Sequence, residues 1–166
     1  MIKKSKNKKL KLPSLLVFDF DGVLTNNKVI VRQDGTESVI CCRSDGLGME
    51  MARKSGLRML ILSKEINPVV SARGKKLKVE VIQAIDDKPK ALMAYCKKHK
   101  IKLSDVLYVG NDLNDAAVMK IVGQSACPKD SHPLIKKIAT LILNNDGGNG
   151  AVRELIEDRL GINTYI

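Results

Sequence analysis

Two aspartates two residues apart, Asp19 and Asp21, close the apolar run Leu15-Leu16-Val17-Phe18 and lead into Gly22. At strand spacing their side chains lie on one side, and two carboxylates that close repel each other unless a cation or a shared proton separates them. A hard, oxygen-seeking cation such as Mg²⁺ suits the pair, because it is ordinarily held by one or two carboxylates together with substrate phosphate. Gly22 permits a sharp turn whose backbone N–H groups can face a phosphate oxygen. Other polar groups recur at comparable places. Ser63 follows the run 57–62 and can donate to phosphate, Lys88 stands just before Pro89 where a helix should begin, and Asn111, Asp112 and Asp115 follow the run 106–110. Each also has an ordinary structural use, as a turn residue, a helix cap or a solvated charge. Their shared position after successive core strands points to one crevice, since ligands of open α/β sheets bind beyond the carboxyl ends of the strands. There the fourth group could ligate the same cation or orient its waters.

These groups need a sheet beneath them. The runs 15–18, 57–62, 79–82 and 106–110 are short, apolar and rich in β-branched residues, with turn residues at their ends, the pattern of parallel strands buried on both faces. Helical spacing is expected from Met49 to Ser55, with Asp45 as its cap and Leu47, Met51 and Ala52 turned inward. It recurs after Asn67-Pro68, with Val69, Val70 and Ala72 apolar, and after Pro89, with Ala91, Leu92, Ala94 and Tyr95 buried. Apolar arms at 28–32 and 37–42 flank Gln33-Asp34-Gly35-Thr36, which reads as a hairpin around an Asp-Gly turn, too small to be a domain. The expected class is α/β in a single domain over residues 13–166, behind a basic, flexible arm over residues 1–12.

Composition narrows the function further. The formal charge is +11, but six lysines and no acid fall in residues 1–11, which leaves +5 for the remainder. A solvated lysine-rich arm accounts for that tail better than a nucleic-acid partner does. The absence of Trp and an aromatic content of 3% also remove the stacking surface that single strands need. The remaining positive balance suits anionic metabolites and polyanions alike. Four cysteines, at 41, 42, 96 and 127, form neither a CxxC pair nor a zinc spacing, which reads as reduced thiols in a cytoplasmic protein. No apolar stretch reaches transmembrane length, so no membrane partner is expected.

Taken in order, the motifs resemble those of the haloacid dehalogenase phosphohydrolase superfamily: Asp19-Phe20-Asp21-Gly22-Val23-Leu24-Thr25, then Ser63, then Lys88, then Gly110-Asn111-Asp112-Leu113-Asn114-Asp115. The resemblance covers about residues 14–160. The small hairpin, Ser44-Asp45-Gly46-Leu47-Gly48 and Gly147-Gly148-Asn149-Gly150-Ala151-Val152-Arg153-Glu154 look more narrowly like the KDO 8-phosphate phosphatase group, which lacks a large cap domain. The resemblance implies a Rossmann-like fold with a central, mostly parallel sheet, flanking helices and a small β-hairpin in place of a cap. It implies a Mg²⁺-dependent phosphomonoesterase in which Asp19 is the nucleophile and Asp21 the acid and then the base. Ser63, Lys88 and Gly22 would bind phosphate. The metal would be held by Asp19, the Asp21 peptide oxygen and Asn111 or Asp112, with Asp115 behind them orienting water. Two departures matter: the family usually has aspartate where Asn111 stands, and a basic residue where Asn149 stands.

The run Ser63-Lys64-Glu65, followed by Asn67 through Arg73, is similar to the branch associated with nonulosonate metabolism, including KDN 9-phosphate phosphatases and the phosphatase-like modules of acylneuraminate cytidylyltransferases. That similarity implies a phosphorylated sugar acid as substrate, read by Glu65, Arg73 and Lys76; the ordinary reading of these three is a charged helix surface. KDO 8-phosphate is the runner-up substrate. The group also implies a homotetramer, in which the hairpin makes contacts between subunits and residues 147–154 approach a neighbour's site. A noncatalytic oligomerisation module tied to sugar-nucleotide synthesis is the competing class of function, and the collection Asp19, Asp21, Ser63 and Lys88 favours catalysis over it.

Overall fold

The computed structural model describes residues 10–165 and is built around β1 (Leu15–Phe18), every residue of which is buried. Along the chain follow β2 (Thr25–Val31), β3 (Glu37–Cys41), α1 (Arg43–Lys54), β4 (Arg58–Leu62), α2 (Val69–Leu77), β5 (Glu80–Ile82) and α3 (Lys88–His99). Then come β6 (Val106–Val109), α4 (Ala116–Ile121), β7 (Gln124–Cys127), α5 (Pro133–Ile138), β8 (Leu141–Ile142) and α6 (Ala151–Glu154), which a π-helical turn over Leu155–Arg159 extends. Six strands form one sheet in the order β5-β4-β1-β6-β7-β8, and every neighbouring pair is parallel. The strands β2 and β3 pair separately as an antiparallel hairpin, stopped by a turn in which Asp34 Oδ1 accepts from both the amide and the hydroxyl of Thr36. Among the described residues no cap domain covers the sheet, and the hairpin stands in its place.

Alternation along the strands builds two cores. Leu16 and Phe18 of β1, Met59 and Ile61 of β4, and Leu107 and Val109 of β6 face Met49 and Ala52 of α1, Val70 of α2 and Val152 and Leu155 at the C-terminal helix. The intervening residues Leu15, Val17, Leu60, Leu62, Val106 and Tyr108 face Leu92 and Tyr95 of α3, Val118 of α4 and Ile135 of α5. A strand that buries both faces must read as a continuous apolar run, which is why these strands showed in the sequence. The chain lays β4 and β5 to one side of β1, then crosses by α3 to lay β6, β7 and β8 on the other. The reversal places a crevice at the carboxyl ends of β1, β4 and β6.

Several expectations are corrected. Residues 1–9 of the expected arm lie outside the described residues, but Leu10 is buried and donates its amide to Arg159, and Lys11 exchanges two bonds with the Gln124 side chain. Residues 10–11 therefore belong to the packed fold. The first helix begins at Arg43, so Asp45 lies within it and is not its cap. Its buried carboxylate instead accepts from the amides of Gly150 and Arg153, closing the start of α6 across the fold. Leu47 and Ala94 face outward, because the helix stripes run through Met49, Met51 and Ala52 and through Leu92, Tyr95 and Cys96 instead. Among the described residues no helix is long and apolar enough to cross a membrane.

Asp45→Ala should lower the unfolding free energy by about 1–3 kcal/mol, the cost of leaving buried amide donors without an acceptor. Hydrogen exchange should place the lost protection at Gly150 and Arg153. Loss confined to the first turn of α1 would instead return Asp45 to the capping role expected from sequence.

Candidate active site

The in-register pairing of Phe18 with Ile61 and with Val109 makes the residues after β1, β4 and β6 emerge side by side. The ladder runs one residue further, through Asp19 N to Val109 O, Ser63 N to Ile82 O and Gly110 N to Ala126 O. Asp19, Ser63 and Asn111 are all buried there. Lys88 reaches the same place from the first turn of α3, whose N-cap Asp87 accepts from the amide of Lys90. A crevice of about 240 Å³ opens over them, lined by Asp19, Asp21, Ser63, Lys64, Glu65, Ile66 and Asn114.

Its floor is an ion-pair chain. Lys88 Nζ lies 2.8 Å from Asp19 Oδ1 and 2.6 Å from Asp115 Oδ1, and all three side chains are almost wholly shielded from water. Asp19 Oδ1 also accepts from the Phe20 amide at 2.8 Å. Burial and the charge of Asp115 push Asp19 up to about 7, against the pull of Lys88 and the Phe20 amide. One ammonium does not neutralise two buried carboxylates, so the site holds an excess of negative charge. Asp21, at the rim, is raised by burial and by the charge of Glu65, while its bond from Thr25 Oγ1 opposes the shift.

Glycine lets the loops meet. Gly22 adopts φ +75°, and any side chain there would collide with the Asn111 amide. Gly147 packs on the Gly22 carbonyl so closely that a Cβ has no room, and the Gly148 amide donates to Val23 O at 2.9 Å. The stretch 147–150 thus buttresses the Asp19–Thr25 loop of its own chain, and Asn149 is exposed beside it.

The other expected site residues fall differently. Asp112 is exposed and turned into local structure: its Oδ1 accepts from the Leu113 amide in a capping box with Asp115. Asn111, in contrast, has a buried Oδ1 without a hydrogen-bond partner, and the His132 amide pins its carbonyl. Asp115 is fully buried and saturated, with Oδ1 accepting from Lys88 and Tyr108 and Oδ2 from the amides of Asn111 and Asp112. These bonds brace Lys88 and the loop. Glu65 lines the crevice, whereas Arg73 and Lys76 line a separate depression of about 400 Å³ with Arg43, Arg53 and Lys78. The reason is geometric, since α2 leads away from the end of β4 and carries them with it.

Three residues were missed from sequence. Thr25 ties Gly22 N, Asn27 N and Asp21 together through one hydroxyl. Gln83 Nε2 donates to the carbonyls of Glu65, Ile66 and Asn67 and so shapes the loop above Ser63. Tyr108 donates to Asp115, and burial together with the charges of Asp115 and Asp19 raises its hydroxyl well above the usual phenol range, keeping it a donor. Thr25 stood inside the first motif and Tyr108 inside a strand read as plain core, so neither type nor spacing marked them.

Among the described residues no three His, Cys, Asp or Glu side chains gather as a metal cluster. A hard divalent cation nevertheless fits the donors present, which are oxygens of mixed kind: the Asp19 carboxylate, the orphaned Asn111 Oδ1 and the Asp21 residue at the rim.

Comparison with known proteins places the family and the fold. The family model for haloacid dehalogenase-like hydrolases matches residues 59–155. The 3-deoxy-D-manno-octulosonate 8-phosphate phosphatase KdsC of Escherichia coli K12 is 33% identical over 144 residues, covering 86% of this chain and 77% of that protein. A HAD family hydrolase from Streptomyces avermitilis superposes with a TM-score of 0.89 at 41% identity, over 94% of this chain and 90% of that one. The 3-deoxy-D-manno-octulosonate 8-phosphate phosphatase of Moraxella catarrhalis, solved with magnesium, phosphate and KDO, superposes with a TM-score of 0.85 at 32% identity, over 91% and 89% of the two chains.

If the orphaned amide oxygen is a cation ligand, Asn111→Ala should weaken Mg²⁺ binding by about tenfold or more, while Asp112→Ala changes it by less than about twofold. Calorimetric titration of the two variants with Mg²⁺ measures both. The opposite order would make Asp112 the ligand.

Proposed function

This chain belongs to the haloacid dehalogenase-like hydrolase family, and from that premise we propose that it is a Mg²⁺-dependent phosphatase acting on a phosphorylated 2-keto-3-deoxy sugar acid. The observation that supports the reading most is the meeting of Asp19, Asp21, Ser63, Lys88 and Asn111 at one end of the sheet, where a phosphoryl group would find a nucleophile, an acid and cationic help together. The hydrogen bonds and the ion pair of Asp19 fall on Oδ1, which leaves Oδ2 without a donor among the described residues. In this reading Oδ2 attacks phosphorus, the bond to the leaving alkoxide breaks, and Asp21 gives that alkoxide its proton. The raised proton affinity of Asp21 suits the donor role. Asp21 then takes a proton from water, which attacks the aspartyl-phosphate, frees inorganic phosphate and restores Asp19. Lys88 and the Ser63 hydroxyl hold phosphoryl oxygens, whereas the Gly22 amide, expected to share that task, is taken up by Thr25 Oγ1. Asp19, the Asp21 peptide oxygen and Asn111 Oδ1 would hold Mg²⁺, which when bound offsets charge on the phosphoryl group and favours ionised Asp19.

Two substrates of this class are supported by different observations. The curated relatives at 33% identity act on the eight-carbon KDO 8-phosphate. The nine-carbon KDN 9-phosphate is supported by Glu65, which lines the crevice and can accept from sugar hydroxyls. Arg73 and Lys76 enter recognition only through a neighbouring subunit, because within one chain they line a different depression. A homotetramer belongs to the reading for that reason, and the exposed Val29, Ile30, Val31 and Ile40 of the hairpin offer an apolar surface for it. A single domain that includes residues 10–11, and a cytoplasmic location, complete the reading.

Phosphate release from KDO 8-phosphate, KDN 9-phosphate and a simple aryl phosphate, with and without Mg²⁺, tests the proposal. Asp19→Asn should reduce turnover by at least about a thousandfold with the fold intact. Glu65→Gln should cost about 1–3 kcal/mol in kcat/KM on the true sugar acid and little on the aryl ester. Equal turnover in Asp19→Asn would rule out the covalent route, and no release from any ester would favour a noncatalytic module.

A further inference from the structure

We propose that Tyr108 is a positioning residue for phosphoryl transfer, acting through Asp115 to keep the Lys88 ammonium shared with Asp19; the inference rests on the phosphatase reading above. Two carboxylates compete for one cation. Lys88 Nζ lies 2.6 Å from Asp115 Oδ1 and 2.8 Å from Asp19 Oδ1. An ammonium has three donors, so with one on each acid a third remains for a phosphoryl oxygen. Of the three charged groups only Asp19 lines the crevice, with Lys88 and Asp115 behind it, so a lysine drawn fully onto Asp115 would move away from the reacting group.

The Tyr108 hydroxyl limits that pull. It donates to the same oxygen, Asp115 Oδ1, at 2.7 Å, while the amides of Asn111 and Asp112 occupy Oδ2. A second donor on Oδ1 takes up part of its charge and fixes where the oxygen sits. Tyr108 is itself immovable: it is wholly buried, its strand position pairs with Val17 and Ser125, and its ring belongs to the core shared with α3 and α4. Packing alone would be satisfied by phenylalanine, and a phenol buried this deeply is costly unless bonded. The same carboxylate thus joins three parts of the site: the lysine from α3, the strand β6 and the loop carrying Asn111.

Tyr108→Phe keeps the ring and removes the donor. With Mg²⁺ present, kcat/KM on the best phosphate ester should fall about tenfold, and the inhibition constant of inorganic phosphate should rise by a similar factor. If Tyr108 acts through Asp115, adding Tyr108→Phe to Asp115→Asn should cost less than about twofold more. A lower Tm with unchanged kcat/KM and phosphate inhibition would overturn the proposal, as would full additivity in the double variant. If the parent hydrolyses no ester, the phosphatase reading fails, and calorimetric affinity for inorganic phosphate decides the positioning role. Weaker binding to Tyr108→Phe would then support it, and equal binding would overturn it.

Discussion

The Lys88 ammonium sits between the carboxylates of Asp19 and Asp115, and none of the three groups would be tolerated in that place alone. Stripping one ion of water costs several kcal/mol, which only close, well-bonded partners offset. The whole sheet order can be understood as the means of assembling this trio. Asp19 comes from β1, Asp115 from the turn after β6, and Lys88 from the helix that carries the chain over from β5 to β6. Parallel pairing sets the first two side by side, and the crossing helix can aim its first turn only at the point where the strand order reverses. Burial first, and then a pairing incomplete by one charge, drives Asp19 toward protonation, and the unpaired charge makes the place attractive to a further cation.

Around that trio the loops are fixed by contact, with little room for adjustment. The Gly22 turn leans on Asn111, Gly147 leans on the Gly22 carbonyl, and Asp130 holds the Gly147 amide. The amide of His132, two residues on, pins the carbonyl of Asn111. This closes a circuit from β1 to β6 to the loop after β7 and back. Asp45 extends the circuit to α1 by holding the start of α6. A substitution at any glycine of the circuit would displace Asn111 or the Asp21 turn before it affected the core, so these positions constrain function more than stability.

Much of this was legible in the sequence because the physics was local. Strands buried on both faces must be apolar throughout, an Asp-Gly turn between β-branched arms must be a hairpin, and polar groups that follow core strands must gather at one edge. The site residues that misled did so for want of tertiary information. Asp112 and Asn111 are adjacent and both able to bind a cation; only the capping bond to Leu113 and the orphaned amide oxygen separate them. Asp45 reads as a helix cap, since nothing local reveals that its acceptors serve amides more than a hundred residues away. Arg73 and Lys76 follow Ser63 closely in the chain, yet a helix intervenes and carries them to another depression. Strand β8 has only two residues, and β7 reads Gln124-Ser125-Ala126-Cys127, with no β-branched or aromatic residue to mark it.

Burial divides the site into two parts with different freedom to change. Asp19, Ser63, Lys88, Asn111 and Asp115 are buried in contact with the core, and each has at least one bond or packing contact that another side chain would break. Lys64, Ile66 and Asn114 on the crevice rim are exposed, and Glu65 is half-buried on a loop that Gln83 holds by its carbonyls alone. Backbone bonds of that kind preserve the path of the loop while leaving its side chains free to differ. The floor of the crevice is therefore tied to the sheet, whereas the side chains of its rim are held by loops and bear on the core less. That separation explains why the reaction class follows from the motifs and the fold, and why identity of about one third to eight-carbon phosphatases carries the chemistry further than it carries the substrate.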